Sequence, residues 1–277
     1  MTLQSIRQPA VAGMFYPGDQ RLLKQEVDSL LKKAQPELPL GKIVALISPH
    51  AGYTYSGLTA AYGYKLLEEK TFETVVIISP SHREYFEGIS IYQGKAYQTP
   101  LGALLVDEEL RAELLGQSDL IESSSRGHGA EHAIEVQLPF IQQTLGDVKI
   151  LPLVMGDQRS DFCFELGNVL ADVLQEKECL LIASTDLSHY YPYDTAKKID
   201  KRTVEDIERF DYEKLMEDLD SNYAEACGGG PTVAVLSAAK QLGATDVQIL
   251  HHCNSGDVTG DHSGVVGYLS ATIVKGN

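Results

Sequence analysis

Two stretches of this chain deliver a histidine directly after an apolar run: "IVALISPH" ends in His50 and "VVIISPSH" ends in His82. Imidazole is the commonest side-chain ligand of transition metals, and two of them plus one anionic ligand leave coordination positions open for a substrate or dioxygen. The anionic ligand has three candidates, Cys227, Asp186 and Glu131. Cys227 precedes "GGGPTVAVLSAAK", where glycines lead into a proline suited to a first helical turn, and the N–H groups and dipole of a helix start favour a thiolate. In "STDLSHY", Asp186 and His189 are three residues apart, so one helical turn would set them on a common face, with the carboxylate orienting the imidazole. Asp186 suits the capping of that turn equally well. "GHGAEHAIEVQLPF" adds His128, Glu131 and His132 near an expected helix start, where His132 is a candidate acid/base and Glu131 gains from the dipole. Tyr53, Tyr55 and Tyr190 offer flat walls for an aromatic ligand, and tyrosine is also a routine core residue.

Something must bring residues spread over roughly 200 positions together. "KIVALIS", "TVVIIS", "VKILPLVM", "CLLIAS" and "DVQILHH" are continuously apolar, the pattern of strands covered on both faces, and "GVVGYLSATIV" reads as a final strand. Between them, "GLTAAYGYKLLEE", "EHAIEVQLPFIQQTL", "DFCFELGNVLADVLQ", "KIDKRTVEDIERF" and "PTVAVLSAAKQLG" carry apolar residues near helical spacing. The alternation predicts an α/β fold: one domain spanning 1–277, a mainly parallel sheet between helical layers. Polar residues follow each strand, and parallel sheets bind ligands beyond the carboxyl ends of their strands. The histidines therefore end strands because the site lies there.

Composition narrows the partners. The formal charge of −16, from 39 acidic against 23 basic residues, disfavours nucleic acid and anionic membrane surfaces, both of which draw on clustered Lys and Arg. No apolar run approaches the roughly 18 residues of a spanning helix, and the N-terminal stretch lacks the apolar core of a signal peptide, so a cytoplasmic protein is expected. Cys163, Cys179, Cys227 and Cys253 form no CxxC pair, which predicts four free thiols.

"PAVAGMFYPGD", "SPHAGYTYSG", "SPSH", "EHAIEVQLPF", "STDLSHY", "CGGGP" and "GDVTGDHSGVVGYLSA" follow one another between Arg7 and Thr272, and as an ordered series they resemble the MEMO family, whose prokaryotic members are called AmmeMemoRadiSam system protein B. The resemblance implies a fold like that of the LigB-type class III extradiol dioxygenases, which use non-haem iron at a strand-end site. It implies His50, His82 and Cys227 as metal ligands, with Asp186, His189, Glu131 and His132 in catalytic positions around them. LigB-type enzymes complete their iron site with a glutamate where this chain offers Cys227, so ring cleavage does not transfer, and a thiolate favours softer or redox-active ions. The cofactor implied is a divalent or redox-active metal, iron first, copper or zinc otherwise. The expected function is a metal-dependent, dioxygenase-like oxidoreductase acting on a small aromatic molecule. The alternative is a non-catalytic module whose pocket takes a peptide or phosphorylated ligand, which the acidic balance disfavours, Arg83 being the only basic residue beside a pocket motif. The prokaryotic name implies a pathway link to AMMECR1-like and radical SAM proteins.

Overall fold

Strands without polar alternation need cover on both faces, and "KIVALIS" and "TVVIISP" find it in the middle of a nine-stranded sheet in the computed structural model, which describes residues 6–276. The strands are β1 (Ile6–Arg7), β2 (Lys42–Ser48), β3 (Thr74–Pro80), β4 (Ile89–Tyr92), β5 (Ala96–Thr99), β6 (Gly102–Leu105), β7 (Ile121–Ser124), β8 (Lys149–Met155), β9 (Cys179–Ser184), β10 (His189–Tyr191), β11 (Asp246–Asn254) and β12 (Val265–Lys275). The helices are α1 (Gln20–Lys33), α2 (Tyr53–Lys65), α3 (Glu108–Leu115), α4 (Leu138–Leu145), α5 (Ser160–Leu174), α6 (Tyr193–Glu208), α7 (Tyr212–Asp220), α8 (Gly229–Gln241) and α9 (Ser255–Thr259).

The large sheet runs β10-β12-β2-β9-β3-β8-β4-β7, with β11 also paired to β12. Its centre, β2-β9-β3-β8, is parallel as expected. Its flanks are not: β12 is antiparallel to β2, β10 and β11, and β4 is antiparallel to β8, so the sheet as a whole is mixed. Strands β1, β5 and β6 form a small separate sheet. Register matters for the site. Ser48 pairs with Ser184, so the chains leaving β2 and β9 emerge side by side and set His50 next to Asp186; β3, on the far side of β9, delivers His82 to the same edge.

Helix α8 is buried from Gly229 to Ala239 on every side, which explains why "GGPTVAVLSAA" is apolar all round. Its entry is tight. A Cβ on Gly228 would stand 2.3 Å from the Ser184 carbonyl oxygen, so only glycine lets this turn close against the end of β9.

Some elements depart from the expected pattern for clear reasons. Helix α2 begins at Tyr53, four residues before the expected start, because "YTYS" was too polar to read as helix although Tyr53 and Ser56 are buried. "EHAIEVQLPFIQQTL" is helical only from a 3-10 turn at Glu135–Gln137 onward. Pro139 sits in the first turn of α4, the position proline tolerates, and residues 131–134 are left free to turn into the site. "STDLSHY" forms no helical turn: residues 185–188 are irregular and His189 opens β10. Strand β11 is only half-buried, since it pairs with β12 alone.

Candidate functional site

At the carboxyl edge of β2, β3 and β9 lies a cavity of about 710 Å³, lined among others by His50, His82, His132, Asp186 and His189. One nitrogen from each of His50, His82 and His132 lies within 4.8 Å of the other two. The three rings pack against one another, His82 stacked on His132 at 4.9 Å between centroids and His50 edge-on to both at 5.1 and 5.3 Å.

Two of the rings, His50 and His82, are held by neighbours that fix their protons. The Ser184 hydroxyl donates its one proton to the Ala133 carbonyl at 2.7 Å and accepts from Gln137 Nε2 at 2.8 Å, so towards His50 Nδ1, 2.9 Å away, it accepts. His50 therefore carries its proton on Nδ1 and turns the lone pair of Nε2 outward. Glu131 does the same for His82. Its carboxylate can only accept; Oε1 takes the proton of His82 Nδ1 at 3.0 Å and Oε2 the His82 backbone N–H at 2.6 Å, leaving the lone pair of His82 Nε2 free. A ring nitrogen tied to a carboxylate or hydroxyl, with the other free, is the arrangement found behind metal-ligating histidines.

Electrostatics agree. Burial alone would raise the Glu131 carboxyl, but the His82 ring and the N–H groups of His82 and Ala133 outweigh it and bring it down to about 2. Burial pushes His132 down to about 4 and His50 well below its ordinary value, helped in each case by neighbouring positive groups. These two imidazoles are neutral at physiological pH, the form that binds metal. The His132 Nδ1 lies 3.2 Å from Glu131 Oε1 without hydrogen-bond geometry, and this buried nitrogen has no partner. An orphaned imidazole nitrogen fits a ligand role.

Cys227 stands on the outward, Nε2 side of His50, its sulfur 3.2 Å from that nitrogen, whose lone pair accepts the thiol proton. That is shorter than the roughly 4.3 Å sum of a zinc–nitrogen and a zinc–sulfur bond, so the sulfur could share an ion with His50, but the three ligand atoms that converge within 4.8 Å are those of His50, His82 and His132, with His132 where the resemblance implied Cys227. The expectation of a lowered thiol pKa is corrected. Burial, with the nearby Asp186 charge, pushes the thiol up, and the helix-start N–H groups are already committed: that of Gly228 to Thr185 Oγ1 and that of Gly230 to Gln158 Oε1. The sulfur accepts the Asp186 N–H at 3.3 Å instead.

Asp186 caps the loop after β2, its Oδ1 accepting the His50 N–H at 2.9 Å, while Oδ2 lies 4.0 Å from His50 Nε2. Burial raises this carboxyl to about 7, against the pull of the His50 and Ala51 N–H groups. His189 lines the same cavity, its pKa lowered by burial, and its backbone N–H is held by Glu225 at 3.1 Å.

Tyr55 and Tyr190 line the cavity mouth; Tyr190 is 80 % exposed and held at a left-handed φ of 65°, a conformation that costs a non-glycine residue energy. Tyr53 is corrected: its ring packs on Phe140 and its hydroxyl donates to the Val136 carbonyl at 2.8 Å, so it belongs to the core. His128 lies outside the site, buried between Tyr97 and the Ser90 carbonyl.

Glu135 was not foreseen. Fully buried, it binds Arg7 and the N–H groups of Ala10 and Val11, and accepts from Tyr16 at 2.5 Å, so it anchors the N-terminal segment. The anchored segment lays Met14 and Phe15 on the cavity, Phe15 4.9 Å from the His132 ring. A glutamate one turn from "EH" signals nothing by spacing; only its unusual burial does. All four cysteines are free, and no described helix is long and apolar enough to cross a membrane.

The comparisons with known proteins agree with the geometry. The description of a Memo-like protein matches residues 7–272. A MEMO1 family protein of Methanosarcina mazei is 40 % identical, covering 97 % of this chain and 99 % of its own; one of Nitrosopumilus maritimus is 37 % identical, covering 95 % and 98 %. In fold, an uncharacterised protein of Escherichia coli K12 is similar with a TM-score of 0.58 at 18 % identity, covering 84 % of this chain and all of its own. By sequence over nearly its whole length, this chain belongs to the Memo-like, MEMO1 protein family.

Proposed function

We propose that the strand-end cavity is the site of a metal-dependent oxidoreductase acting on a small hydroxylated aromatic molecule. The single observation behind this reading is the convergence of three imidazoles, with their protons held away from the cluster at His50 and His82, on the floor of a cavity with aromatic rings at its mouth. His50, His82 and His132 would hold the ion, with Cys227 within reach as a further ligand. Iron is the first candidate, and copper or zinc suit the same nitrogen donors. A bound ion would supply Lewis acidity and, for iron or copper, redox exchange.

The surrounding residues handle protons and position. Asp186, with its carboxyl near 7, is suited to accept the proton of a phenolic hydroxyl entering beside His50, and neutral His189 is a second acceptor across the cavity. Glu131 keeps His82 oriented. Tyr55, Tyr190 and Phe15 offer ring faces to an aromatic substrate.

The test is oxygen consumption by iron-loaded protein supplied with catechol-type substrates, alongside His50→Ala. Uptake that requires both substrate and His50 supports the reading. Substrate binding without uptake by any metal form would leave the non-catalytic module as the better account.

A further inference from the structure

His132 differs from the other two imidazoles of the cluster in what holds it. Hydrogen bonds to Nδ1 fix the His50 ring at Ser184 and the His82 ring at Glu131. The buried Nδ1 of His132 has no such partner. Its backbone is pinned, the N–H donating to Glu131 Oε1 at 2.8 Å and the carbonyl accepting the Val136 N–H at 3.0 Å. That places Cα and leaves the ring to turn about its side-chain bonds, the outer of which has broad wells. Contact is left to choose the orientation.

The contacts are aromatic. His82 stacks on the His132 ring at 4.9 Å between centroids, and His50 meets it edge-on at 5.3 Å. Phe15 packs on the same ring at 4.9 Å with 57° between the planes. Among the described residues it is the one aromatic neighbour of His132 from outside the cluster. Phe15 is itself firmly placed. Its N–H donates to the Val11 carbonyl at 2.9 Å, and its carbonyl accepts the N–H of Tyr53, the first residue of α2, at 2.7 Å. On either side, the Val11 N–H and the Tyr16 hydroxyl are bound to buried Glu135. The segment thus ties the start of α2, three residues beyond His50, to the ring of His132.

Resting on the reading of the three imidazoles as metal ligands, we propose that Phe15 is the positioning residue of His132: its ring fixes by contact the orientation that hydrogen bonds fix for His50 and His82. The argument explains why the N-terminal segment is anchored so heavily beside the cavity. Loss of the Phe15 ring opens space beside an imidazole that no hydrogen bond restrains. His132 then samples several orientations, and only some of them point its nitrogen at the other two.

Two readouts test this. Zinc titration of metal-free protein, by competition with a chromogenic chelator, compares the unaltered chain with Phe15→Ala, Phe15→Leu, Phe15→Tyr and Val27→Ala, the last a truncation of a buried α1 residue that does not line the cavity. Zinc affinity is expected to fall roughly tenfold in Phe15→Ala, to fall less in Phe15→Leu, which keeps volume without a flat face, and to stay within about twofold in Phe15→Tyr and Val27→Ala. The second readout is the set of histidine ring signals in nitrogen-15 NMR spectra of the metal-free protein. The His132 signal, identified by its absence from His132→Ala, is expected to be sharp in the unaltered chain and averaged in Phe15→Ala and Phe15→Leu, with the His50 and His82 signals unmoved. Unchanged zinc affinity and an unchanged His132 signal in the Phe15 variants overturn the assignment. An equal loss of affinity in Val27→Ala traces the effect to general stability and overturns it as well. Should Phe15→Ala fail to fold, Phe15→Leu decides by the same two readouts. Absence of zinc binding by the unaltered chain overturns the metal reading, and the NMR comparison then still decides whether Phe15 fixes the ring.

Discussion

At the scale of single residues, the site is a matter of where protons are held. Glu131 is the clearest case, a buried carboxylate that takes the His82 ring and the backbone N–H groups of residues 82, 132 and 133. Replacing it by Gln substitutes an amide whose nitrogen can donate but not accept, so the orientation of His82 is no longer fixed. The expected effect is a 10–100-fold loss of zinc affinity with the fold retained, as for other residues behind metal-bound histidines. Calorimetric zinc titration of Glu131→Gln checks it, and unchanged affinity would detach Glu131 from the site. The sequence made His50 and His82 legible because each ends an apolar run. It left His132 as an acid/base candidate because a histidine in an apparent helix carries no mark of the turn that brings it to the cluster. Nothing in spacing could separate buried Tyr53 from rim-lining Tyr55, since a helix start determines which way each points.

At the scale of elements, the N-terminal segment ahead of α1 has only the two-residue strand β1, paired to β5, as regular structure to hold it, and is otherwise anchored by Glu135. The Arg7–Glu135 pair is buried, with side-chain exposures of 5 % and 0 %. Removing one partner of such a pair leaves an uncompensated charge, and Arg7→Met is expected to destabilise the protein by about 3–5 kcal/mol. Chemical denaturation followed by circular dichroism measures this, the chain having no tryptophan. A loss under about 1 kcal/mol would show that the segment is held by packing and its backbone bonds. Helix α1 lies outside the expected elements although its signal is present: Leu23, Val27 and Leu31 recur every four residues behind the Asp19 N-cap. The parallel centre of the sheet was legible as continuous apolar runs. The short flanking strands β4, β7 and β10 were not, because they have three or four residues each, too few for a period to show, and the antiparallel direction of the long strand β12 leaves no mark in its apolar run.

At the scale of the whole molecule, stability and site share a framework, because α6 packs behind the site loop. Asp200 on α6 accepts the Ser188 N–H at 2.9 Å with Oδ1, while Oδ2 is buried against Gly267 without a partner. Burial raises its carboxyl from the ordinary 3.8 to about 6. The folded state thus holds this proton more tightly than the unfolded one. The stability from this group is complete below about pH 4 and is lost as pH rises through about 6, on the order of 2–3 kcal/mol. Asp200→Asn, which cannot ionise, is expected to gain stability relative to the unaltered chain by about that amount between pH 4 and pH 7, measured by urea denaturation across the range. A constant difference would mean that Asp200 ionises normally. The central claim, that the carboxyl edge of the sheet holds a metal through His50, His82 and His132, is tested most directly by elemental analysis of protein purified anaerobically without a chelating tag, comparing the unaltered chain with His50→Ala, His132→Ala and, as a control buried away from the cavity, Cys163→Ser. The account predicts about one metal ion per chain in the unaltered protein and in Cys163→Ser and nearly none in either histidine variant; equal metal content in all four would contradict it.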